Sequence, residues 1–154
     1  MFKEDVRTGW SVPQLTLMGF LLGVAAAFAV QQGLPGVSAA LGLMQAHADA
    51  TSVTSGWPAL LWGGVWGGLL VPALIRAGDA LLWPVALAAG ALVPTLAASL
   101  VDAAAASETI AAADDNTRVM TLLAINAAWA LATAALFQLV RTVTSIVLLT
   151  KGMP

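Results

Sequence analysis

Residues 57–101 read WPALLWGGVWGGLLVPALIRAGDALLWPVALAAGALVPTLAASLV, two long apolar runs separated by the short polar turn RAGD. Each run holds about 20 residues, the length that a helix needs to cross a hydrocarbon core of ~30 Å at ~1.5 Å per residue. Because the turn is so short, the two helices are expected to be antiparallel neighbours. This stretch therefore predicts a transmembrane helical hairpin, with Arg76 and Asp79 at its turn.

Similar runs lie on both sides of this hairpin and extend the prediction to the whole chain. Gly33, Pro35 and Gly36 are expected to end the first span. The residues after Arg141 fit either an interfacial helix or a long tilted extension of the last span. The predicted fold is a single all-α membrane domain over 1–154, a bundle of four transmembrane helices. Its predicted spans are about 12–31, 57–75, 81–101 and 119–140, its external loops 32–56 and 102–118, and its interfacial tail 141–154.

The composition agrees with a membrane protein and limits the chemistry of the chain. Hydrophobic residues make up 60% of the sequence, the mean hydropathy is +0.90, and 9% of residues are charged, against ~25% in soluble domains. There is no cysteine, and His47 is the one histidine, which excludes thiolate sites and histidine-based metal cages. With a net charge of −2 and no basic cluster, a nucleic-acid partner is not expected.

The distribution of basic residues predicts the orientation of the bundle. With the N-terminus in the cytoplasm, a single basic residue, Arg118, falls outside, and the positive-inside rule is satisfied. We therefore expect an N-in, C-in multi-pass protein of the bacterial inner (cytoplasmic) membrane. The basic residues placed on the cytoplasmic side are Lys3, Arg7, Arg76, Arg141 and Lys151.

The second span carries the sharpest local pattern, two overlapping GxxxG spacings with interleaved tryptophans. Glycines four residues apart share a helix face and allow a second backbone to approach closely. Three interpretations follow: a seam for another subunit, a groove for a flat pigment or a lipid tail, or packing against the first or third span of the same chain. The residues are Gly63, Gly64, Gly67 and Gly68, with Trp62 and Trp66 on the neighbouring face.

Polar residues inside a span are the usual indicators of function, and two amides are candidates here. Asn126 lies within the fourth span and Gln138 near its cytoplasmic end. An inter-helix hydrogen bond is the expected role of Asn126, and a ligand contact is the alternative. Trp129 lies in mid-span, where packing is the default. Interfacial anchoring is expected of Trp10, Trp57 and Trp83, which lie at span ends.

Two prolines, Pro72 and Pro94, lie in the interior of the second and third spans. Proline removes a backbone donor and is expected to kink a helix at each position. Such kinks shape cavities or hinges, but they also serve packing alone, which we favour here.

The segments GFLLGVAAAFAVQQG, LLWGGVWGGLL, GALVPTLAASLV and INAAWALATAALFQLVR together resemble a group of small bacterial inner-membrane proteins. That group has a Trp-Gly-Gly-x-Trp-Gly helix and a Gly-Ala-x-x-Pro-Thr helix. The resemblance covers most of the four spans. It implies a four-span bundle with no assigned activity, and it transfers no functional residue.

The sequence favours a non-catalytic accessory or structural subunit of a larger membrane protein complex over an enzyme. No cluster of acidic, basic or nucleophilic residues indicates a catalytic site, so neither enzymatic activity nor a metal is expected. Respiratory and photosynthetic assemblies are candidate hosts by analogy. The expected partners are other membrane subunits and lipid; no cofactor is predicted, although a bound lipid or pigment fits the Gly/Trp face. The alternative is a small homo-oligomeric transporter or channel.

Overall fold

The computed structural model describes residues 10–40, 56–105 and 115–150, and every regular element in these ranges is helical. Within these ranges, four segments are long and apolar enough to cross a membrane, which confirms the predicted all-α bundle of four spans. We call the third of these, Asp79–Leu100, the third span. The elements are α1 (Val12–Ala40), α2 (Trp57–Ala77), a 3₁₀ turn (Asp79–Leu81), α3 (Leu82–Leu87), a π-helical turn (Ala88–Leu92), α4 (Val93–Ala105) and α5 (Asp115–Thr150).

Gln14 forms one half of a capping box at the start of α1. Its side-chain oxygen accepts hydrogen bonds from the Ser11 backbone N–H at 2.8 Å and from the Ser11 hydroxyl at 3.1 Å. The Ser11 backbone donor, which lies at the start of the helix, is thereby paired.

The end of α1 differs from the prediction, because the helix continues to Ala40 through Gly33, Pro35 and Gly36. Residues 32–40, assigned to an external loop from the sequence, are therefore helical. One proline removes one helical hydrogen bond, and transmembrane helices tolerate such breaks.

The last helix is continuous from Asp115 to Thr150. The sequence left two alternatives for the residues after Arg141, an interfacial helix or an extension of the fourth span. In the structure they extend the fourth span as far as Thr150. Likewise, residues 102–105 and 115–118 of the predicted second loop belong to helices. At ~1.5 Å per residue a helix of 36 residues is ~54 Å long. It therefore exceeds a ~30 Å hydrocarbon core and must tilt or project from it.

A glycine seam joins α1 and α2 with their backbones in direct contact. A Cβ atom added to Gly67 would fall on the carbonyl oxygen of Gly19 and 2.7 Å from the Cα of Gly23. One turn further along, a Cβ atom added to Gly23 would fall on the carbonyl oxygen of Gly63. We call these residues, Gly19, Gly23, Gly63 and Gly67, the glycine seam. It gives these two helices the most extensive contact in the bundle.

Gly78 makes the tight turn between α2 and the third span possible. Its φ of 76° and ψ of 173° lie in a region that only glycine populates easily. Its N–H donates to the carbonyl oxygens of Leu74 at 3.2 Å and Ile75 at 3.3 Å. Beside the turn, the Arg141 guanidinium of α5 forms an ion pair with Asp79 at 2.6 Å.

The best-packed part of the core lies near this turn. The largest fully buried side chains come from the second half of α2, the start of α3 and the middle of α5, so these three elements interlock there. They are Val71, Leu74, Leu82, Thr133 and Phe137.

The glycine seam generates a stability prediction. Gly67→Ala should lower the free energy of unfolding by about 1–3 kcal/mol, because the new methyl group separates two backbones in contact. Unfolding by SDS titration in detergent micelles, followed by tryptophan fluorescence, measures this loss. Gly33→Ala in α1 is the matched control, since a Cβ there meets nothing within 4 Å. Equal unfolding midpoints for both variants would contradict a tight seam.

Candidate functional site

α2 and the third span lie close together at the turn that joins them and diverge away from it. The start of the third span, α3, packs against α2, and the π-helical turn still touches it. α4, however, makes few or no contacts with α2, while α5 contacts α3, the π-helical turn and α4 in turn. The result is a gap between α2 and the third span that widens away from the turn, and we call it the wedge.

The wedge contains a cavity of about 320 Å³, which we call the wedge cavity. This volume lies at the lower end of the range for small-molecule sites, ~300–1,000 Å³. A second cavity of about 200 Å³ adjoins it towards the turn and shares Trp66, Pro94 and Trp129 as walls. The wedge cavity is lined by Ala27, Val30 and Gln31 of α1, Pro58, Ala59, Trp62, Gly63 and Trp66 of α2, Pro94 and Ala98 of α4, and Leu122, Ile125, Asn126 and Trp129 of α5.

The walls of the wedge cavity are aromatic on two sides. Trp62 and Trp66 of α2 meet edge to face, with ring centroids 5.6 Å apart and planes at 85°. Trp129 of α5 is buried, and its indole N–H donates to the carbonyl oxygen of Gly23 at 3.0 Å. This bond attaches α5 to the glycine seam. Flat, rigid and apolar walls of this kind suit a flat or elongated apolar guest.

A hydrogen-bond chain connects α4 to α5 at the cavity. The Thr95 hydroxyl donates to the Ala91 carbonyl oxygen at 2.7 Å, one turn back in the same span. Because its proton is used there, Thr95 Oγ1 accepts from Asn126 Nδ2, at 2.8 Å. The amide is thereby oriented with Oδ1 pointing away from Thr95. Among the described residues, the Asn126 side chain has no other hydrogen bond.

The π-helical turn before Pro94 belongs to the same region. Pro94 has no N–H to donate along the helix, and a local π turn is a common way to accommodate such a break in a membrane helix. Gly90 lies within this turn, and a Cβ there would meet the Cβ of Ala130 in α5. The third span thus contacts α5 closely at Gly90, which also lines the adjoining cavity.

Comparison with known protein families, curated proteins and solved structures gives no match for this chain. The site is therefore described by its own residues alone.

The structure divides the predicted Gly/Trp face between two environments. Gly63 and Gly67 belong to the glycine seam, Gly64 packs under the Phe20 ring, and Gly68 lies beside the Thr16 backbone. All four glycines are buried against α1 of the same chain. Trp62 and Trp66 instead line the wedge cavity.

The other predicted residues take separate positions. Gln138 is half-buried, and its backbone carbonyl accepts from the Thr142 hydroxyl at 2.9 Å. Trp57 and Trp83 are 71% and 45% exposed, whereas Trp10 packs partly against the core. His47 lies outside the described residues. Within the described ranges, no group of three or more acidic, histidine or cysteine residues is placed to hold a metal.

Two functional features were missed in the sequence analysis. Gly19 and Gly23 in GFLLG repeat the GxxxG spacing of α2, and matching the two motifs would have paired these helices. Thr95 was not a candidate from the sequence, yet its hydroxyl accepts from Asn126 while it donates to Ala91 of its own span. A polar residue on each of two adjacent apolar spans is the signal that would have suggested this pair.

The bond between Thr95 and Asn126 predicts a measurable coupling. In a double-mutant cycle with Thr95→Val and Asn126→Leu, the interaction free energy should be about 1 kcal/mol, the size typical of inter-helix hydrogen bonds in membranes. SDS-titration unfolding of the four proteins in the cycle measures it. Thr133→Val is the matched control, because the Thr133 hydroxyl donates within α5 to Trp129 O. A coupling of Asn126 with Thr133 as large as that with Thr95 would contradict the assignment.

Proposed function

We propose that this chain is a non-catalytic, membrane-embedded binding subunit that holds an apolar guest in the wedge cavity within a larger membrane protein complex. The wedge cavity is the observation that carries this proposal. The bundle packs tightly at the α1–α2 seam and near the turn, and the wedge cavity beside them has defined walls.

The chemistry of the walls supports an apolar guest. The lining consists of aliphatic and tryptophan side chains with glycine and proline, apart from the amides of Gln31 and Asn126. An empty apolar cavity loses dispersion contacts on all its walls. In a bilayer, the cavity can be filled by a lipid chain, a lipophilic small molecule or a helix of a partner protein.

The outer surface of the bundle supports a place among other membrane subunits. In the best window of each span, at most 39% of the residues are buried inside the bundle. The remaining surface faces outward and suits either lipid or neighbouring transmembrane helices. The outward face of α2 is rich in large side chains, namely Trp57, Leu61, Trp62, Val65 and Leu69.

The proposed location is the bacterial inner membrane, with both termini in the cytoplasm. The support is the distribution of basic residues under the positive-inside rule. In this orientation the wide end of the wedge lies in the outer half of the bilayer, and the tight turn at Gly78 faces the cytoplasm.

The partner part of the proposal is tested by purification from native membranes in a mild detergent. A native gel and mass spectrometry of the band that contains this chain should show other membrane proteins in a fixed ratio. Migration as a homo-oligomer without partners would overturn this part and favour a small transporter instead.

The guest part of the proposal makes its own prediction. Ala98→Phe should fill the wedge cavity and reduce the co-purified lipophilic molecule at least about tenfold, because a phenyl ring occupies the guest's volume. Organic extraction followed by quantitative mass spectrometry measures the guest per protein chain. Ala128→Phe is the matched control, since Ala128 is exposed on α5 and lines neither cavity. Equal guest content in both variants would contradict the site.

A further inference from the structure

One wall of the wedge cavity contains a polar group with a defined orientation, the side-chain amide of Asn126. Asn126 is half-buried and lines the cavity. The Thr95 hydroxyl donates to Ala91 and accepts from Asn126 Nδ2, so the amide cannot turn round without losing that bond. The oxygen Oδ1 and the second hydrogen of Nδ2 therefore remain to meet a guest, and Oδ1 is the acceptor of the pair.

The depth of this oxygen limits the guest's chemistry. The apolar window of α5 begins at Val119, and Asn126 lies ~10 Å further along the helix axis at ~1.5 Å per residue. Within the apolar part of a span an unpaired amide oxygen is costly, because an unpaired polar group in hydrocarbon costs several kcal/mol. A guest that donates a hydrogen bond to Oδ1 removes this cost.

The charge of the walls limits the guest further. Every side chain that lines the wedge cavity is uncharged. A phosphate or ammonium headgroup drawn to this depth would lose its hydration without gaining a countercharge. A neutral donor such as a hydroxyl avoids that cost, and the tryptophan walls accept the apolar body attached to it.

We infer that the wedge cavity binds a neutral lipophilic molecule that carries a hydroxyl group, and that this hydroxyl donates its hydrogen bond to Asn126 Oδ1. The inference rests on the proposed binding function and names the chemical class of its guest. The adjoining cavity towards the turn provides room for the tail, past Trp66 and Pro94. No bond is made or broken, so this is a binding site and not a site of reaction.

The test compares two probes that differ in one hydrogen-bond donor. 4-Nonylphenol has a flat ring, an apolar tail and a neutral hydroxyl, and 4-nonylanisole is its methyl ether. Both are added in equal amounts to the purified full-length chain in detergent micelles, and native mass spectrometry counts the bound molecules of each mass. Their partition into micelles is the same for every variant, so differences between variants report on the site.

The wild type should bind the phenol about five- to tenfold better than the ether, relative to the ratio in Asn126→Leu. If Asn126→Leu fails to fold, the double variant Thr95→Val/Asn126→Leu serves instead. It removes both partners of the bond with little change of volume, a replacement that is often nearly neutral for stability.

The Ala98→Phe variant separates failure of the inference from failure of the proposed function. If it blocks both probes while the wild type binds phenol and ether equally, the binding site stands and the hydroxyl inference is overturned. If it leaves the binding of both probes unchanged, the wedge cavity is not their site, and both proposals fall. If Ala98→Phe instead releases a partner protein during native purification, the wedge holds a polypeptide helix, and the inference is overturned.

Discussion

The direct backbone contact between α1 and α2 is the constraint on which the rest of the bundle depends. Inside a membrane, lipid tails are as apolar as leucine, so helices associate through close packing and hydrogen bonds. Gly19, Gly23, Gly63 and Gly67 place no side chain of their own between the two backbones. The carbonyl oxygen of Gly23 also accepts the hydrogen bond from the Trp129 indole. One seam therefore positions α5, and with it one wall of the wedge cavity.

The other half of the bundle is organised around a tight turn and a single polar bond. Gly78 keeps α2 and the third span together at one end, and the buried side chains around Phe137 close that end. Towards the other end, Thr95 and Asn126 join α4 to α5, while α4 makes few or no contacts with α2. The wedge arises because α1 pairs with α2 and the third span pairs with α5, whereas α2 and α4 make few or no contacts.

Long apolar runs and scarce charges were enough to predict four spans and the hairpin turn, because a bilayer admits few alternatives. Helix ends were harder: Pro35 and Gly36 are turn residues in water, yet α1 continues past them to Ala40. The amides and tryptophans were identifiable as candidates. Their grouping around one cavity could not be predicted, because it depends on which helix faces separate after Gly78. The spacing of apolar residues gives little information about those faces when most of each helix faces lipid.

The sideways position of the wedge determines what its occupancy responds to. Leu69 and Val93, on either side of the adjoining cavity, are 60% and 45% exposed, so that gap opens towards the bilayer interior. A molecule that enters this way has already left water, and its hydrophobic transfer energy is gained by the membrane whether or not the protein is present. Occupancy by the proposed guest would then follow its mole fraction among the surrounding lipids. The wedge would therefore report the composition of the membrane, and dilution of the aqueous phase would leave it unchanged.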